Sequence, residues 1–146
     1  MVDVTAKPEV YREATAKGLI KLKPETIKLI KEGKVEKGDP LQAAKIAGVM
    51  AAKNTGSLIP LCHPLPLTHV GIKVGIVDSS TVEVEAKVKA KAQTGVEMEA
   101  LVAVAVALLT VWDMTKQYEK DEKGQYPFTA IEEIRVLRKV KGDVCK

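Results

Sequence analysis

Gln93-Thr-Gly-Val-Glu-Met-Glu99 runs into a small, valine-rich stretch, Ala100 to Trp112, and then into Asp113-Met-Thr-Lys116. The reading of this stretch decides the fold. Val102-Ala-Val-Ala-Val-Ala107 alternates like a strand, and valine favours strands. Length favours a helix, because the pattern runs past a dozen residues with no Gly, Pro or turn residue. Thr94-Gly95 predicts the helix start, with Glu97 and Glu99 in the first turn, where the helix dipole favours acids. Every face of the rod is apolar, which predicts cover on all sides. A membrane span needs about 20 apolar residues, more than this run offers. The alanines predict close approach by a neighbour, such as the same helix of a second subunit.

At about 100° per residue, Glu99, Asp113 and Lys116 fall on one side of the rod, with Val102, Val106 and Leu109 between them, while Glu97 points elsewhere. At about 1.5 Å per residue, Glu99 and Asp113 stand roughly 21 Å apart along the axis. One rod cannot bring both ends to one small molecule. A two-fold dimer with antiparallel rods can.

The flanking elements follow from the rod outward. Val70, Ile72, Val74 and Ile76, then Asp78-Ser-Ser, then Val82, Val84, Ala86, Val88, Ala90 and Ala92 read as a hairpin with one apolar and one charged face. Before it, Pro60, Pro64 and Pro66 hold Leu61, Cys62 and His63 in a stiff, non-helical loop suited to be a pocket wall. Upstream, Asp39-Pro40 caps a helix over 41–53, and Pro24 opens a short helix over 25–31 that Gly33 stops. Alternation over 10–22 predicts a long strand with a small-residue face. Residues 1–9 read as an extended arm. After Lys116, Tyr118 to Gly124 reads as a solvated loop, 131–140 as a last strand or mixed segment, and 141–146 as a tail.

The order is β-α-α-β-β-α-β. With one of the first two helices set aside, it is the split pattern of ferredoxin-like α+β folds, an antiparallel sheet with helices on one face. At 146 residues the chain reads as a single domain. A net charge of +4 is too small to argue for nucleic acid but suits a small anion, and 3% aromatic residues disfavour base stacking. Cys62 and Cys145 have no framework spacing, which predicts reduced thiols. With no signal peptide or membrane run read in the sequence, the expected location is the cytoplasm.

Each candidate site residue has a structural alternative. His63 is either a working imidazole or a packed one. Cys62 reads better as wall packing than as a ligand, since no Cys-x-x-Cys or paired-His spacing predicts a metal site. Glu97 and Glu99 are acid/base groups or dipole-complementing surface acids. Asp113 and Lys116 are a plain i,i+3 ion pair or a proton relay. Burial lowers a lysine's proton affinity, whereas a neighbouring carboxylate opposes that. Lys37 and Lys139 could hold phosphate, but lysines are common in this chain.

Several blocks occur in one order: Met1-Val-Asp-Val-Thr, Lys37-Gly-Asp, Ala44-Lys-Ile-Ala-Gly, Leu58-Ile-Pro-Leu-Cys-His-Pro, Thr94-Gly-Val-Glu-Met-Glu-Ala and Thr110-Val-Trp-Asp-Met-Thr-Lys. Over nearly its whole length the chain closely resembles the molybdenum cofactor biosynthesis protein C (MoaC) family, the cyclic pyranopterin monophosphate synthases. The resemblance implies a ferredoxin-like fold with extra helices and a hexamer built as a trimer of dimers, with active sites at the dimer interface. It implies rearrangement of 3′,8-cyclo-7,8-dihydroguanosine triphosphate to cyclic pyranopterin monophosphate and pyrophosphate. Position by position, it implies catalysis by Asp113 and Lys116, with substrate contacts from Leu61, Cys62, His63, Glu97, Met98, Glu99, Lys37 and Lys139. Lys139 lacks the glycine-rich run that follows it in the family, so Lys141 or Arg138 could take its place. No cofactor is implied and no metal ligands are predicted, although magnesium can accompany the triphosphate. The rival readings are a nucleotide-binding regulator without turnover and an RNA-binding ferredoxin-like module. No nucleic-acid or membrane partner is predicted.

Overall fold

A computed structural model describes residues 1–142; Cys145, with the rest of 143–146, lies outside the described residues. The elements are β1 (Val10–Lys21), α1 (Pro24–Lys31), α2 (Pro40–Lys53), a single turn α3 (Thr55–Leu58), β2 (Leu67–Asp78), β3 (Thr81–Ala92), α4 (Glu97–Glu119) and β4 (Ala130–Gly142). The strands form one antiparallel sheet in the order β2-β3-β1-β4, the ferredoxin-like arrangement expected from the element order. Asp39 caps α2 as anticipated, accepting from the N–H groups of Leu41 and Gln42. The turn α3 was not predicted.

Alternation in the strands separates two faces. Ala14, Ala16 and Ile20 of β1 and Val82, Val84, Ala86 and Val88 of β3 are buried against the helices. Lys17 and Glu83 pair on the opposite face at 3.0 Å. At Gly18 α4 comes close to the sheet. A Cβ there would lie 2.8–2.9 Å from Leu108, Val104 and Ile134 side chains, too close for any residue with a β-carbon.

Four readings need correction. First, α4 starts at Glu97 with Val96 as its cap residue and no side-chain cap, so Thr94 does not cap it. Second, α4 does not fray at Tyr118. It continues to Glu119, whose side chain is fully buried. That carboxylate accepts from the Lys23 N–H at 3.1 Å, from the Thr26 hydroxyl and from the Thr129 hydroxyl at 2.7 Å. It joins the start of α1 and the approach to β4 to the end of α4. Third, the rod is not covered on every side. Ala100, Ala103, Val104, Ala107, Leu108, Val111 and Thr115 are buried, but Leu109 is 56% exposed and Met98 38%. The sheet and α2 pack against it, and among the described residues no element covers the Leu109 side. At 23 residues, with a mean hydropathy of 1.7 over an 18-residue stretch, α4 is also long and apolar enough to pass as a membrane span, so shortness is not what excludes one; its buried face packs as a core helix. Fourth, β4 extends to Gly142, so Lys141 and Gly142 belong to a strand and not to a tail. Its register slips beside Thr15–Leu19, and Glu133 adopts φ 54°, as a bulged edge strand does.

Candidate active site

The ends of α4 carry two separate polar clusters. At the N-terminal end, the proline-fixed loop brings Leu61, Cys62 and His63 against Met98 and Glu99 around a cavity of about 320 Å³. The N-terminal arm closes one side of it, and the His63 Nε2 lies 2.7 Å from the Val2 carbonyl oxygen. The arm is therefore held by this imidazole and is not simply trailing.

Glu99 is 3% exposed, and its Oε2 has no hydrogen-bond partner among the described residues. Burial, and then the nearby Glu97 charge, push its carboxyl above the ordinary glutamate value, although its helix N–H opposes this. Burial, followed by the Glu99 charge, also raises the Cys62 thiol, which makes Cys62 a poor nucleophile and suits it to wall packing.

Glu97 behaves differently two residues away. Burial works to raise its carboxyl. The Lys139 hydrogen bond, the residue's own helix N–H, and the Lys139 and Arg12 charges outweigh that and bring it below the usual value. Lys139 Nζ sits 2.6 Å from Glu97 Oε1. The carboxyls of two glutamates in one helical turn are thus shifted in opposite directions. Gly95 makes room for it, since a Cβ there would fall 1.9 Å from the Glu97 carboxylate.

At the other end, Lys37 and Lys116 each lie 3.0 Å from a different oxygen of Asp113. Lys37 comes from the loop after α1, which Tyr118 steadies by accepting the Glu36 N–H at 2.9 Å. The Lys116 and then the Lys37 hydrogen bonds hold the Asp113 carboxyl low, and the Asp113 hydrogen bond raises Lys116. Here the opposing influence of the carboxylate prevails over burial. Lys116 is a firmly protonated ammonium, not a lysine of lowered affinity.

The ten sequence-predicted residues therefore fall into three groups: Leu61, Cys62, His63, Met98 and Glu99; Glu97 with Lys139; and Lys37, Asp113 and Lys116. Asp113 and Lys116 do not meet His63 within one chain, because the whole length of α4 separates them. The register also sorts the C-terminal cations. Lys139 pairs with Ala14 and Lys141 with Arg12, on the helix side, whereas Arg138 pairs with Thr15 and its charge acts on Glu13 on the opposite face. Sequence reasoning passed over Lys7 and Arg12. The signal for Arg12 was present: it is a charge at an inward position of a strand face otherwise made of small and apolar residues.

A ferredoxin-like frame with paired carboxylates, an imidazole and anchored lysines at the ends of one helix defines an acid–base site built for an anionic molecule. The MoaC family model matches residues 1–142. A probable cyclic pyranopterin monophosphate synthase of Pyrococcus furiosus is 62% identical over 143 residues, covering 98% of this chain and 91% of that protein. The probable synthase of Sulfolobus acidocaldarius is 51% identical over 142 residues, covering 97% and 99%. That of Sulfurisphaera tokodaii is 55% identical over 141 residues, covering 97% and 93%. The chain belongs to the MoaC family.

Proposed function

We propose that this protein is the cyclic pyranopterin monophosphate synthase of a molybdenum cofactor pathway. Its substrate is (8S)-3′,8-cyclo-7,8-dihydroguanosine 5′-triphosphate. The five-membered purine ring opens, a pyranopterin closes, and a ribose-derived hydroxyl attacks the α-phosphorus with release of pyrophosphate. Asp113 and Lys116 move protons during opening and closure, while Lys37 and Lys139 offset phosphate charge. His63, Cys62, Leu61, Met98 and the two glutamates hold the guanine-derived part. The rearrangement is redox-neutral and calls for no cofactor; magnesium can accompany the triphosphate. The reading adds that this chain works in the cytoplasm.

The observation that supports this reading most is the uncovered side of α4. The polar clusters stand roughly 21 Å apart, and Leu109 is exposed between them. A second copy with its α4 antiparallel would cover that side and bring one subunit's Asp113 and Lys116 toward the other's His63 and Glu99. Three such dimers make the hexamer. Incubation with the cyclised guanosine triphosphate tests the reading: pyrophosphate and a pterin that fluoresces after oxidation should appear together. Tight binding without either product would leave only a nucleotide-binding regulator.

A further inference from the structure

Two different segments flank the Asp113–Lys116 cluster. At about 100° per residue, Asp113, Gln117 and Tyr118 follow one another around the side of α4 that meets the turn carrying Lys37. There the Gln117 amide donates to the Glu36 carboxylate at 3.1 Å, and the Tyr118 hydroxyl accepts from the Glu36 N–H. Trp112 and Lys116 stand at i and i+4 and share the other flank.

The connection from α4 to β4 folds back onto that second flank. Its first half closes on itself. Asp121 Oδ1 accepts from the N–H groups of Lys123 at 2.8 Å and Gln125 at 2.9 Å, the Asp121 N–H donates to the Gln125 carbonyl at 2.9 Å, and Gly124 takes φ 72°. Its far end is tied down where the Thr129 hydroxyl donates to buried Glu119 at 2.7 Å. Between these two anchors stands Tyr126. Its ring meets Trp112 edge-on, with centroids 5.3 Å apart and planes at 60°. Because Trp112 and Lys116 are neighbours on one face, this contact sets Tyr126 on the Lys116 side of the cluster. The electrostatics agree: the Asp113 hydrogen bond and then the Asp113 charge do most to raise Lys116, burial opposes them, and Tyr126 adds a smaller push in the same direction as Asp113.

Tyr118 and Tyr126 therefore stand on opposite sides of the cluster, and their hydroxyls differ. That of Tyr118 is engaged by the Glu36 N–H. Tyr126 is half-buried, and among the described residues its hydroxyl has no hydrogen-bond partner. The edge contact with Trp112 uses only the ring, so packing gives no reason for a phenol there. We propose that Tyr126 closes the second side of the Asp113–Lys116 half-site and donates its hydroxyl to the substrate beside Lys116. The inference rests on the reaction proposed above. The ring keeps water from that side, and the hydroxyl fixes the substrate where Asp113 and Lys116 exchange protons with it.

Trp112 is the one tryptophan of the chain, so its fluorescence reports on this wall directly. Guanosine triphosphate, which keeps the guanine and the triphosphate but lacks the 3′–C8 bond, serves as a non-reacting probe. It should change the Trp112 emission of the full chain and bind about tenfold more weakly to Tyr126→Phe. With the cyclised substrate, Tyr126→Phe should raise KM by about tenfold and leave kcat within about twofold. Its melting curve should overlay that of the parent, because the ring and its contact with Trp112 remain. Tyr126→Ala removes the ring as well, and should shift the emission of the free protein and lower kcat too. If Tyr126→Phe matches the parent in probe affinity and in KM, the hydroxyl is idle and the proposal is wrong, although the reaction stands. If probe binding depends on the Tyr126 hydroxyl but the parent makes no pterin, the reaction is wrong and the contact stands.

Discussion

Lys37 Nζ lies 3.0 Å from both the backbone carbonyl and the carboxylate of Asp113, which ties the loop after α1 to the last third of α4. Lys116 takes the other carboxylate oxygen. All three side chains are partly open to solvent, at 42–58% exposure, so their ion pairs add little to stability. Lys116→Ala and Asp113→Asn should therefore melt close to the parent, while turnover falls roughly 10²–10⁴-fold. Lys116→Arg keeps the charge, but its guanidinium is a much weaker proton donor than an ammonium. It should leave KM nearly unchanged and still lose kcat. Near-normal turnover in Lys116→Ala would remove this cluster from the chemistry.

Glu99 should make stability depend on pH in a direction opposite to that of an ordinary salt-bridged acid. Its folded-state carboxyl holds a proton more tightly than the unfolded chain does, because burial raises it above 4.5. Its contribution is full below that value and is lost as pH rises through the raised folded value. Glu99→Gln cannot ionise, so it should gain stability relative to the parent as the pH climbs past 4.5. Thermal melts of both proteins over a pH series check this, and parallel curves would contradict it. The same variant should lose about 10²-fold or more in kcat, because the amide does not position the guanine-derived part as the carboxyl does.

Glu119→Ala should be the most damaging single change among these. It leaves the Lys23 N–H and the Thr26 and Thr129 hydroxyls without their shared acceptor in a buried site. A loss of about 3 kcal/mol follows, equivalent to a melting point lower by roughly 6–12 °C. Glu119→Gln, which still offers one acceptor oxygen, should recover part of it. A melt within a degree or two of the parent for Glu119→Ala would show that water replaces the carboxylate.

Leu109→Glu tests the association of subunits. The side chain is more than half exposed, so the substitution disturbs little of the monomer's own core. In the antiparallel pair it puts a carboxylate at the centre of an apolar contact. Light scattering should report a smaller species, and turnover should fall about a hundredfold as the two halves of the site lose their alignment. An unchanged mass with unchanged activity would move the interface elsewhere.

Much of the frame was legible because it depends on local pattern. The period-2 residues of β1 and β3 alternate between a packed and a watered face, and this alternation survives in any antiparallel sheet. Asp39-Pro40 caps α2 through contacts two and three residues away. The site blocks at Leu61–His63 and Glu97–Glu99 were visible as residue types, and their resemblance to a known family supplied roles that composition could not.

What the linear order determined, then, were the elements, their faces and the positions that carry chemistry, since each depends on neighbours within a few residues. Only the tertiary structure decided that Glu119 is buried, that Lys141 shares a face with Arg12 while Arg138 does not, and that the Glu97 and Glu99 carboxyls are shifted in opposite directions. Those outcomes depend on which groups, 10 to over 100 positions apart, arrive at the same place. Solvation and charge at a site are set by that convergence, and no local pattern encodes it.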